Sequence, residues 1–499
     1  MTAAEHVLAV VRAHVVPNTY RDSVELMRVA AEIERLPDVQ RAALVMGTPA
    51  NRAILDEAGL LVGAALDVGP NDLVIAVGGA SAEAVQAALE EARTLLASQP
   101  KASARQSELE QPKTIAEAIA EQPSTGLAMI STPGAYATAE TLKAIKRGLH
   151  VFLFSDNVPL SDEIELKRLA VRKGLLLMGP DCGTAILDGI PLGFANVVRR
   201  GSIGLAAASG TGLQQVTCLI DSLGEGVSQA IGVGGRDLDE QVGGVMMLAA
   251  LERLAPDPQT TVIVLLSKPP AASVANEVLR LARGARKPVV VNFLGDAHEI
   301  QRDGSVVRVP TLEEAAVWAV ALARGDAAPA SPRLATDLVE LAQSKSSRLT
   351  ADQWRVRGLY SGGTLCKEAA HVFHELGARE GHELIDLGDD EFTVGRPHPM
   401  IDPRLRNERI VQAAAAPETA VILLDVVLGY GSHPDPAGAL MPAVAAATAV
   451  VMVASVCGTP ADPQGLQRQT ALLRDAGVVV APSNAQAARL AALILKDRT

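Results

Sequence analysis

"GSIGLAAASGTGLQQVTCLIDSLG", residues 201–224, has a counterpart later in the chain, "RGLYSGGTLCKEAAHVFHELG", residues 357–377. Each segment holds an aliphatic run, a turn rich in serine, threonine and glycine, and then a helical pattern of apolar residues. Short aliphatic runs that alternate with helical patterns are typical of parallel strands joined by crossover helices. The sequence therefore predicts that one strand, turn and helix is built twice.

The surrounding sequence extends this repeat. Four further aliphatic runs follow the first segment, "VSQAIGVGG", "TTVIVLLS", "KPVVVNFLG" and "SVVRVP", and four follow the second, "HELIDLGDD", "TAVILLDVVLG", "AVVMVASVCG" and "GVVVAPS". Both copies end in a strand, a proline and a helix, which indicates an internal duplication. The second copy has longer loops, "EFTVGRPHPMIDPRLRNER" and "LGYGSHPDPAG". They follow strand ends, where open α/β sheets bind ligands.

The rest of the chain also alternates strands and helices. A small α/β domain is predicted over residues 1–98 and a βαβαβ unit over residues 113–200, with the two copies at 201–325 and 354–499. The connecting segments "QPKASARQSELEQPK" and "GDAAPASPR" are polar and rich in proline or small residues, as linkers are. The predicted class is α/β, with doubly wound domains built on parallel sheets.

Composition narrows the function classes. The 499 residues are 48% hydrophobic, 20% charged and 2% aromatic, and the formal net charge is −12. An acidic chain without a basic block is a poor partner for nucleic acid or an anionic membrane. We find no apolar run of membrane-spanning length and no secretory signal, so a cytoplasmic location is expected. The four cysteines form no CxxC pair: Cys182, Cys218, Cys366 and Cys457.

Several motifs resemble known families. "MGPDCGTAI", "GLAAASGTG" and "IGVGGRD" resemble the α subunit of succinyl-CoA synthetase and related NDP-forming acyl-CoA synthetases, over residues 113–325. The second copy resembles the ligase domain of the β subunit. "LYSGGTLCKEA", "GRPHPMIDP" and "LDVVLGYGSHPDPAG" resemble the FdrA family over nearly the whole chain. The resemblance implies a Rossmann-like CoA-binding-type domain at 113–200 and two flavodoxin-like ligase domains.

The chain also departs from the synthetases. Their glycine-rich CoA-binding loop is missing, and "NFLGDAHEIQRDG" contains His298 but no phosphohistidine loop. The segment "LLSKPP" lacks the acidic residue that supports that histidine in the synthetases, and nothing resembles an ATP-grasp module. We therefore expect no bound cofactor and no binding of ATP by this chain alone.

The FdrA resemblance implies a reaction. The family looks like a component of oxamate carbamoyltransferase in allantoin and purine breakdown, acting with companion subunits. The expected substrates are phosphate, carbamoyl phosphate and oxamate. Two other functions stay open at this point: an NDP-forming acyl-CoA synthetase-like ligase, and a non-catalytic scaffold subunit of a larger complex.

The repeated turns suggest a site for an anion. Free N–H groups and the positive end of the helix dipole favour an anion, and glycine lets the backbone approach it. The alternative for each turn is an ordinary helix cap. Residues predicted to bind phosphate or substrate are Ser209, Gly210, Thr211, Gly234, Gly235, Arg236, Ser361, Gly362, Gly363, Thr364 and Arg396.

Two histidines in the long loops are the predicted catalytic groups. His398 lies between prolines and His433 precedes one, so both loops are expected to be rigid. An imidazole titrates near neutral pH and can transfer a proton to or from a substrate. The alternative is that each ring only satisfies backbone groups of its loop. No spacing of histidines and carboxylates specifies a metal, so no metal site is predicted.

Overall fold

The computed structural model describes residues 8–19, 21, 23–98, 112–393 and 397–495. The chain divides into two compact units, Met1–Gln111 with Thr393–Pro397, and Pro112–Phe392 with His398–Thr499. Within the described residues, no helix is long and apolar enough to cross a membrane. The predicted fold class is confirmed, since most strands lie in parallel sheets and a small α/β domain comes first.

The first unit is built on a three-stranded antiparallel sheet. Its elements are β1 (Val10–Val16), α1 (Ser23–Ile33), β2 (Val39–Met46), α2 (Pro49–Glu57), β3 (Leu73–Gly79) and α3 (Ala82–Ser98). The aliphatic β3 is the central strand and is buried along its whole length. Ile75 and Val77 share a core with α1 and α3, whereas Val74 and Ala76 share one with α2. Both faces of β3 are therefore covered, as its continuous apolar pattern requires.

A short Rossmann-like unit opens the second part of the chain. It consists of α4 (Ile115–Glu121), β4 (Leu127–Ile130), α5 (Gly134–Lys146), β5 (His150–Leu153), α6 (Leu160–Arg172) and β6 (Leu177–Met178). The three strands are parallel and lie in the order β4-β5-β6. This is the βαβαβ pattern that the sequence predicts.

The first repeat is built on an eight-stranded sheet. Its strands are β7 (Thr184–Leu187), β8 (Ile190–Gly193), β9 (Arg200–Ala208), β10 (Val227–Gly232), β11 (Val262–Ser267), β12 (Val289–Phe293), β13 (Gln301–Asp303) and β14 (Val306–Arg308). Its helices are α7 (Gly210–Ser222), α8 (Val245–Leu254), α9 (Ala272–Gly284) and α10 (Leu312–Arg324). Five strands are parallel, in the order β10-β9-β11-β12-β14. The hairpin of β7 and β8 extends the sheet beside β10.

The second repeat has a purely parallel sheet. Its strands are β15 (Arg355–Tyr360), β16 (Glu383–Asp386), β17 (Thr419–Val427), β18 (Val451–Cys457) and β19 (Val479–Ala481). Its helices are α11 (Thr336–Ser346), α12 (Gly363–Glu375), α13 (Asp390–Thr393), α14 (Arg404–Ala415), α15 (Pro436–Ala446), α16 (Leu466–Asp475) and α17 (Asn484–Ile494). The strand order β16-β15-β17-β18-β19 is that of the first repeat, second-first-third-fourth-fifth. The shared order supports the duplication.

The two repeats share a hydrophobic core. Leu213 and Val216 of α7 belong to the same buried cluster as Val372 and Phe373 of α12. Helices α10 and α17, which close the two repeats, also contribute to this cluster. Because α7 and α12 each follow the first strand of a repeat, this packing brings two equivalent strand-to-helix turns together.

Candidate functional site

The candidate site begins at the two turns. Strand β9 is aliphatic and ends at Ala208, and Ser209 then caps α7 by accepting a hydrogen bond from the Gly212 N–H at 2.9 Å. Strand β15 ends at Tyr360, and α12 begins after Gly362 without a side-chain cap. Both helices therefore start at the carboxyl edge of a parallel sheet.

The two helix N-termini are in direct contact. The Ser209 and Thr364 hydroxyl oxygens lie 2.5 Å apart, and both residues are buried. A Cβ on Gly362 would lie 2.9 Å from Thr211 Cγ2, and one on Gly212 would lie 3.1 Å from Thr364 Cγ2. Glycine at these two positions allows the turns to approach this closely.

Backbone donors remain at this contact. In the described part of the chain, the N–H groups of Gly210, Thr211, Gly363 and Thr364 have no hydrogen-bond acceptor. Gly210, Thr211 and Gly363 are partly exposed, so an added group can reach the contact. Two positive dipole ends and four free donors favour an anion here. The identity of that anion stays a prediction.

A buried ion pair fixes the second turn. Asp425, in the middle of the aliphatic β17, accepts hydrogen bonds from the Ser361 N–H at 2.8 Å and from its hydroxyl at 3.0 Å. Arg406 of α14 donates to the Asp425 carboxylate at 3.1 Å and to its carbonyl at 2.8 Å. Both side chains are buried, so the guanidinium offsets the cost of burying the carboxylate.

Lys268 lies close enough to Asp181 and Asp386 for its charge to act on both carboxylates. Lys268 follows β11 directly and is half-buried. Desolvation by the surrounding protein raises the pKa of Asp181 to about 6, while the Lys268 charge lowers it and the Asp156 charge raises it. Burial also raises the pKa of Asp386, which the hydrogen bond from Gly388 and the Lys268 charge lower. Lys268 is a cation that a bound anion can use.

His398 lies close to the second turn. A Cβ on Gly388 would lie 2.5 Å from His398 Nε2, 2.9 Å from the Ser361 carbonyl and 3.2 Å from Asp386 Oδ1. Its Nδ1 accepts a hydrogen bond from the Met400 N–H at 3.2 Å, which leaves the ring proton on Nε2. Burial lowers the pKa of His398 to about 4, with a smaller contribution from the Arg406 charge. The neutral ring is therefore a hydrogen-bond donor near pH 7, which differs from the expected exchange of protons at that pH.

His433 forms hydrogen bonds within its own loop and with the loop that carries His398. Its N–H donates to the Met400 carbonyl at 2.8 Å, and its Nδ1 accepts from the Asp435 N–H at 3.0 Å. The first of these bonds joins the His433 loop to the loop that carries His398. The predicted catalytic role of either histidine stays a prediction.

The remaining predicted site residues lie around Asp181. A Cβ on Gly234 would lie 2.6 Å from the Pro180 carbonyl, and one on Gly235 would lie 3.5 Å from Asp181 Oδ2. Arg236 forms an ion pair with Glu163 of α6 at 2.8 Å and donates a hydrogen bond to the Val158 carbonyl, in the loop before α6, at 2.8 Å. These two contacts hold the Arg236 guanidinium against α6 and the loop before it. Arg396 lies outside the described residues.

His298 lies at the other end of α12 from the turns. Its Nδ1 is 2.7 Å from Glu375 Oε1, and Glu375 is the last residue of that 13-residue helix. At 1.5 Å per residue, the helix places about 20 Å between this histidine and the helix N-terminus. The histidine nearest in sequence to the synthetase phosphohistidine segment thus does not reach the turns.

Sequence reasoning missed five charged residues of this region: Asp181, Lys268, Asp386, Arg406 and Asp425. A signal was present for three of them. Lys268 and Asp386 stand at the carboxyl ends of strands, where ligands bind in open α/β sheets. Asp425 interrupts the apolar run "VILLDVV", and a charge inside a buried strand needs a partner. Arg406 carries no such signal because its helix lies inside a predicted loop.

A relative that matches 95% of the chain shows which family the chain belongs to. The chain is 40% identical over 502 residues to the uncharacterized protein YahF of Escherichia coli (strain K12), covering 95% of this chain and 96% of YahF. The chain belongs to the YahF family. This is the succinyl-CoA synthetase-like, FdrA-type family that the motifs indicated.

Three protein families match segments of the chain. Residues 359–494 match the CoA-ligase family, and residues 199–295 match a CoA binding domain. Residues 9–112 match the heavy metal-associated domain of AllF. That last segment has no cysteine and a single histidine, His14, which lies in β1. These residues do not fit a heavy-metal site, because soft metals need thiolate or several imidazole ligands.

Two relatives that match a shorter part of the chain are subunits of CoA ligases. The chain is 29% identical over 175 residues to the mitochondrial succinate–CoA ligase [ADP-forming] subunit alpha-2 of Trichomonas vaginalis, covering 34% of this chain and 55% of that subunit. It is 28% identical over 178 residues to the ADP-forming sulfoacetate–CoA ligase subunit SauD of Bilophila wadsworthia, covering 34% and 59%. The chain thus spans just over half the length of each subunit.

Among solved structures, the chain matches the apo dinucleotide forming acetyl-coenzyme A synthetase 1 of Ca. Korarchaeum cryptofilum. It is 16% identical with a TM-score of 0.31, covering 76% of this chain and 84% of that one.

The expected carbamoyltransferase activity is wrong. The matched family and the named ligase relatives are those of CoA ligases. The chain is an NDP-forming CoA-ligase-like protein, which agrees in broad class with one of the two alternatives to the transferase.

Proposed function

We propose that this protein is a CoA-ligase-type enzyme subunit that binds an acyl phosphate and exchanges its acyl group between phosphate and the thiol of CoA. One observation carries the proposal: the N-termini of α7 and α12 touch at Ser209 and Thr364, with free N–H donors around the contact. We also propose that the chain works with companion subunits, because the CoA ligases that it resembles are named as subunits of larger enzymes.

The geometry supports a single phosphoryl group. One phosphoryl group offers three oxygens, which four N–H donors from two helix ends can bind. Each helix N-terminus stabilises an anion by about 0.3–1 kcal/mol at an exposed site and more where the site is partly buried. Lys268 adds a full positive charge. The carboxylates of Asp181 and Asp386 would repel the additional charge of a triphosphate.

The proposed step is an acyl transfer. The CoA sulfur forms a bond to the acyl carbon, the bond from that carbon to the phosphate oxygen breaks, and phosphate leaves with the electron pair. Backbone N–H groups at the two helix N-termini would stabilise the charge that develops on the phosphate, and removal of one such donor costs ~10²–10³ in rate. Asp181, which is exposed beside Gly235 and whose pKa is raised to about 6, would accept the thiol proton.

The test measures the reverse half-reaction. Succinyl-CoA and sulfoacetyl-CoA are incubated with the purified protein and phosphate, and released CoA is measured as free thiol. We expect release that depends on phosphate and falls at least tenfold in Lys268→Met, because the variant loses the cation beside the turns. Lys143→Met is the matched control, since Lys143 is exposed on α5 and forms its ion pair with the helix neighbour Glu140.

A binding-only role is the second candidate. It is favoured by the histidines: burial moves the pKa of His398 to about 4, and His298 is about a helix length from the turns. Calorimetry separates the two functions. Phosphate binding that Lys268→Met weakens, without any thiol release even with co-purified partners, supports the binding role. Absence of phosphate binding contradicts both.

A further inference from the structure

A cluster of imidazole and carboxylate groups lies away from the candidate anion site. His371 and Glu375 are four residues apart on α12, so they project from the same face of the helix. His298, in the segment after β12, reaches the same place from the first repeat and lies 2.7 Å from Glu375. One ligand atom from each of the three side chains lies within 4.8 Å of the other two.

One ring nitrogen of His371 lacks a hydrogen-bond partner among the described residues. His371 Nε2 is buried and has no hydrogen-bond partner in the described structure. A buried polar atom without a partner calls for an explanation, such as an ion. The rings of His371 and His298 are 6.1 Å apart between centroids and tilted by 32°, so they are neighbours without being stacked face to face.

We propose that His298, His371 and Glu375 form a site for a divalent transition metal, with Zn²⁺ as its preferred occupant. Two imidazole nitrogens and one carboxylate oxygen are a ligand set that Zn²⁺ accepts, with water as the fourth ligand. Tetrahedral bonds of about 2.1 Å place ligand atoms about 3.4 Å apart, a spacing that small side-chain rotations give from the observed cluster. The site is independent of the proposed acyl transfer.

The position of the site indicates its role. It joins the segment after β12 in the first repeat to α12 in the second, at the opposite end of α12 from the turns. A metal there would tie the two repeats together about 20 Å from the anion site. Since the metal binds the folded protein, saturating Zn²⁺ should raise the unfolding temperature without taking part in the chemistry.

The test uses tag-free, chelator-treated full-length protein. We expect it to bind one equivalent of Co²⁺ with the visible absorption of a four-coordinate site, and one equivalent of Zn²⁺ by calorimetry. His371→Ala and Glu375→Gln should each weaken Zn²⁺ binding at least tenfold. The matched control is His374→Ala, which removes an exposed imidazole from the same turn of α12 and should leave binding unchanged.

A second variant guards against misfolding. His298→Ala changes a side chain that is 67% exposed, so it should fold normally and still lose the metal. Circular dichroism checks the fold of every variant. Absence of stoichiometric Zn²⁺ and Co²⁺ binding overturns the proposal, and so does binding that His371→Ala and His298→Ala leave unchanged.

Discussion

Glu368 is a carboxyl group buried where α12 packs on α10 and α17. It is 1% exposed, and it accepts hydrogen bonds from the Leu312 N–H at 2.7 Å and from Asn484 Nδ2 at 2.8 Å. Burial raises its pKa from 4.5 to about 7, although both hydrogen bonds lower it. The folded protein therefore holds the Glu368 proton at pH values where the unfolded chain has released it.

This pKa shift predicts a loss of stability as the pH rises. The contribution of Glu368 is fully present below about pH 4.5 and is lost as the pH passes about 7, which amounts to about 3 kcal/mol. Urea unfolding at pH 5 and pH 8 should show a smaller difference for Glu368→Gln than for the wild type. Both tryptophans, Trp318 and Trp354, belong to the second unit, so their fluorescence reports on it.

The matched control for this measurement is Glu380→Gln, which changes an exposed glutamate and should keep the wild-type difference between the two pH values. Equal differences in the wild type and in Glu368→Gln would show that another group causes the pH dependence.

At the residue scale, the sequence predicted the turns better than their charged neighbours. The serine and glycine turns were readable because backbone geometry demands those residue types after a strand. Lys268 and Asp386 were missed because their importance depends on which strands lie next to each other. Lys268 and Asp386 follow or end strands that are more than a hundred residues apart in the sequence. A local sequence pattern cannot show that these strand ends lie near each other.

At the scale of secondary-structure elements, the contact between α7 and α12 depends on Gly362. Gly362 has an ordinary backbone conformation, φ −114° and ψ 109°, so alanine is acceptable to the backbone there. The added Cβ would lie 2.9 Å from Thr211 Cγ2 and 3.0 Å from Asp425 Oδ2. Gly362→Ala should therefore push α7 and α12 apart and destabilise the second unit by about 1–3 kcal/mol.

Gly362→Ala should also weaken phosphate binding at least tenfold, because the two sets of N–H donors no longer converge. Thermal unfolding followed by tryptophan fluorescence and phosphate calorimetry measure the two effects. Gly126→Ala is the control, since its Cβ would meet nothing within 4 Å. If Gly362→Ala is destabilised yet binds phosphate as the wild type does, the anion does not lie between the two helices.

Elements were predicted well where their apolar pattern was regular. Strand β17 reads as nine residues that are almost all aliphatic, and it is buried along its whole length. The hairpin of β7 and β8 was missed because "LLLMGPDCGT" looks like one continuous strand. In the structure, Gly179 has φ +114° and turns the chain after Met178. The chain then enters a different sheet, and only the tertiary fold shows this.

For the whole molecule, the duplication governs how the chain folds. The two repeats bury their first helices against each other, so neither can cover its apolar surface alone. The first unit has separate cores, one around α1 and α3 and one around α2. The sequence could reveal the repeat through its strand order. It could not reveal the shared core, because residues such as Leu213 and Phe373 fit an isolated helix equally well.

This organisation predicts which fragments fold. Residues 1–111 expressed alone should unfold cooperatively on heating, because their core is self-contained. Residues 112–325 alone should aggregate or unfold without a cooperative transition, since the removed repeat covers Leu213 and Val216, each of which contributes about 1.5–3 kcal/mol when fully buried. Residues 112–499 are the control and should show one cooperative transition by calorimetry. A cooperative transition in the 112–325 fragment would mean that the repeats fold independently, and the contact at Ser209 and Thr364 would then join two autonomous domains.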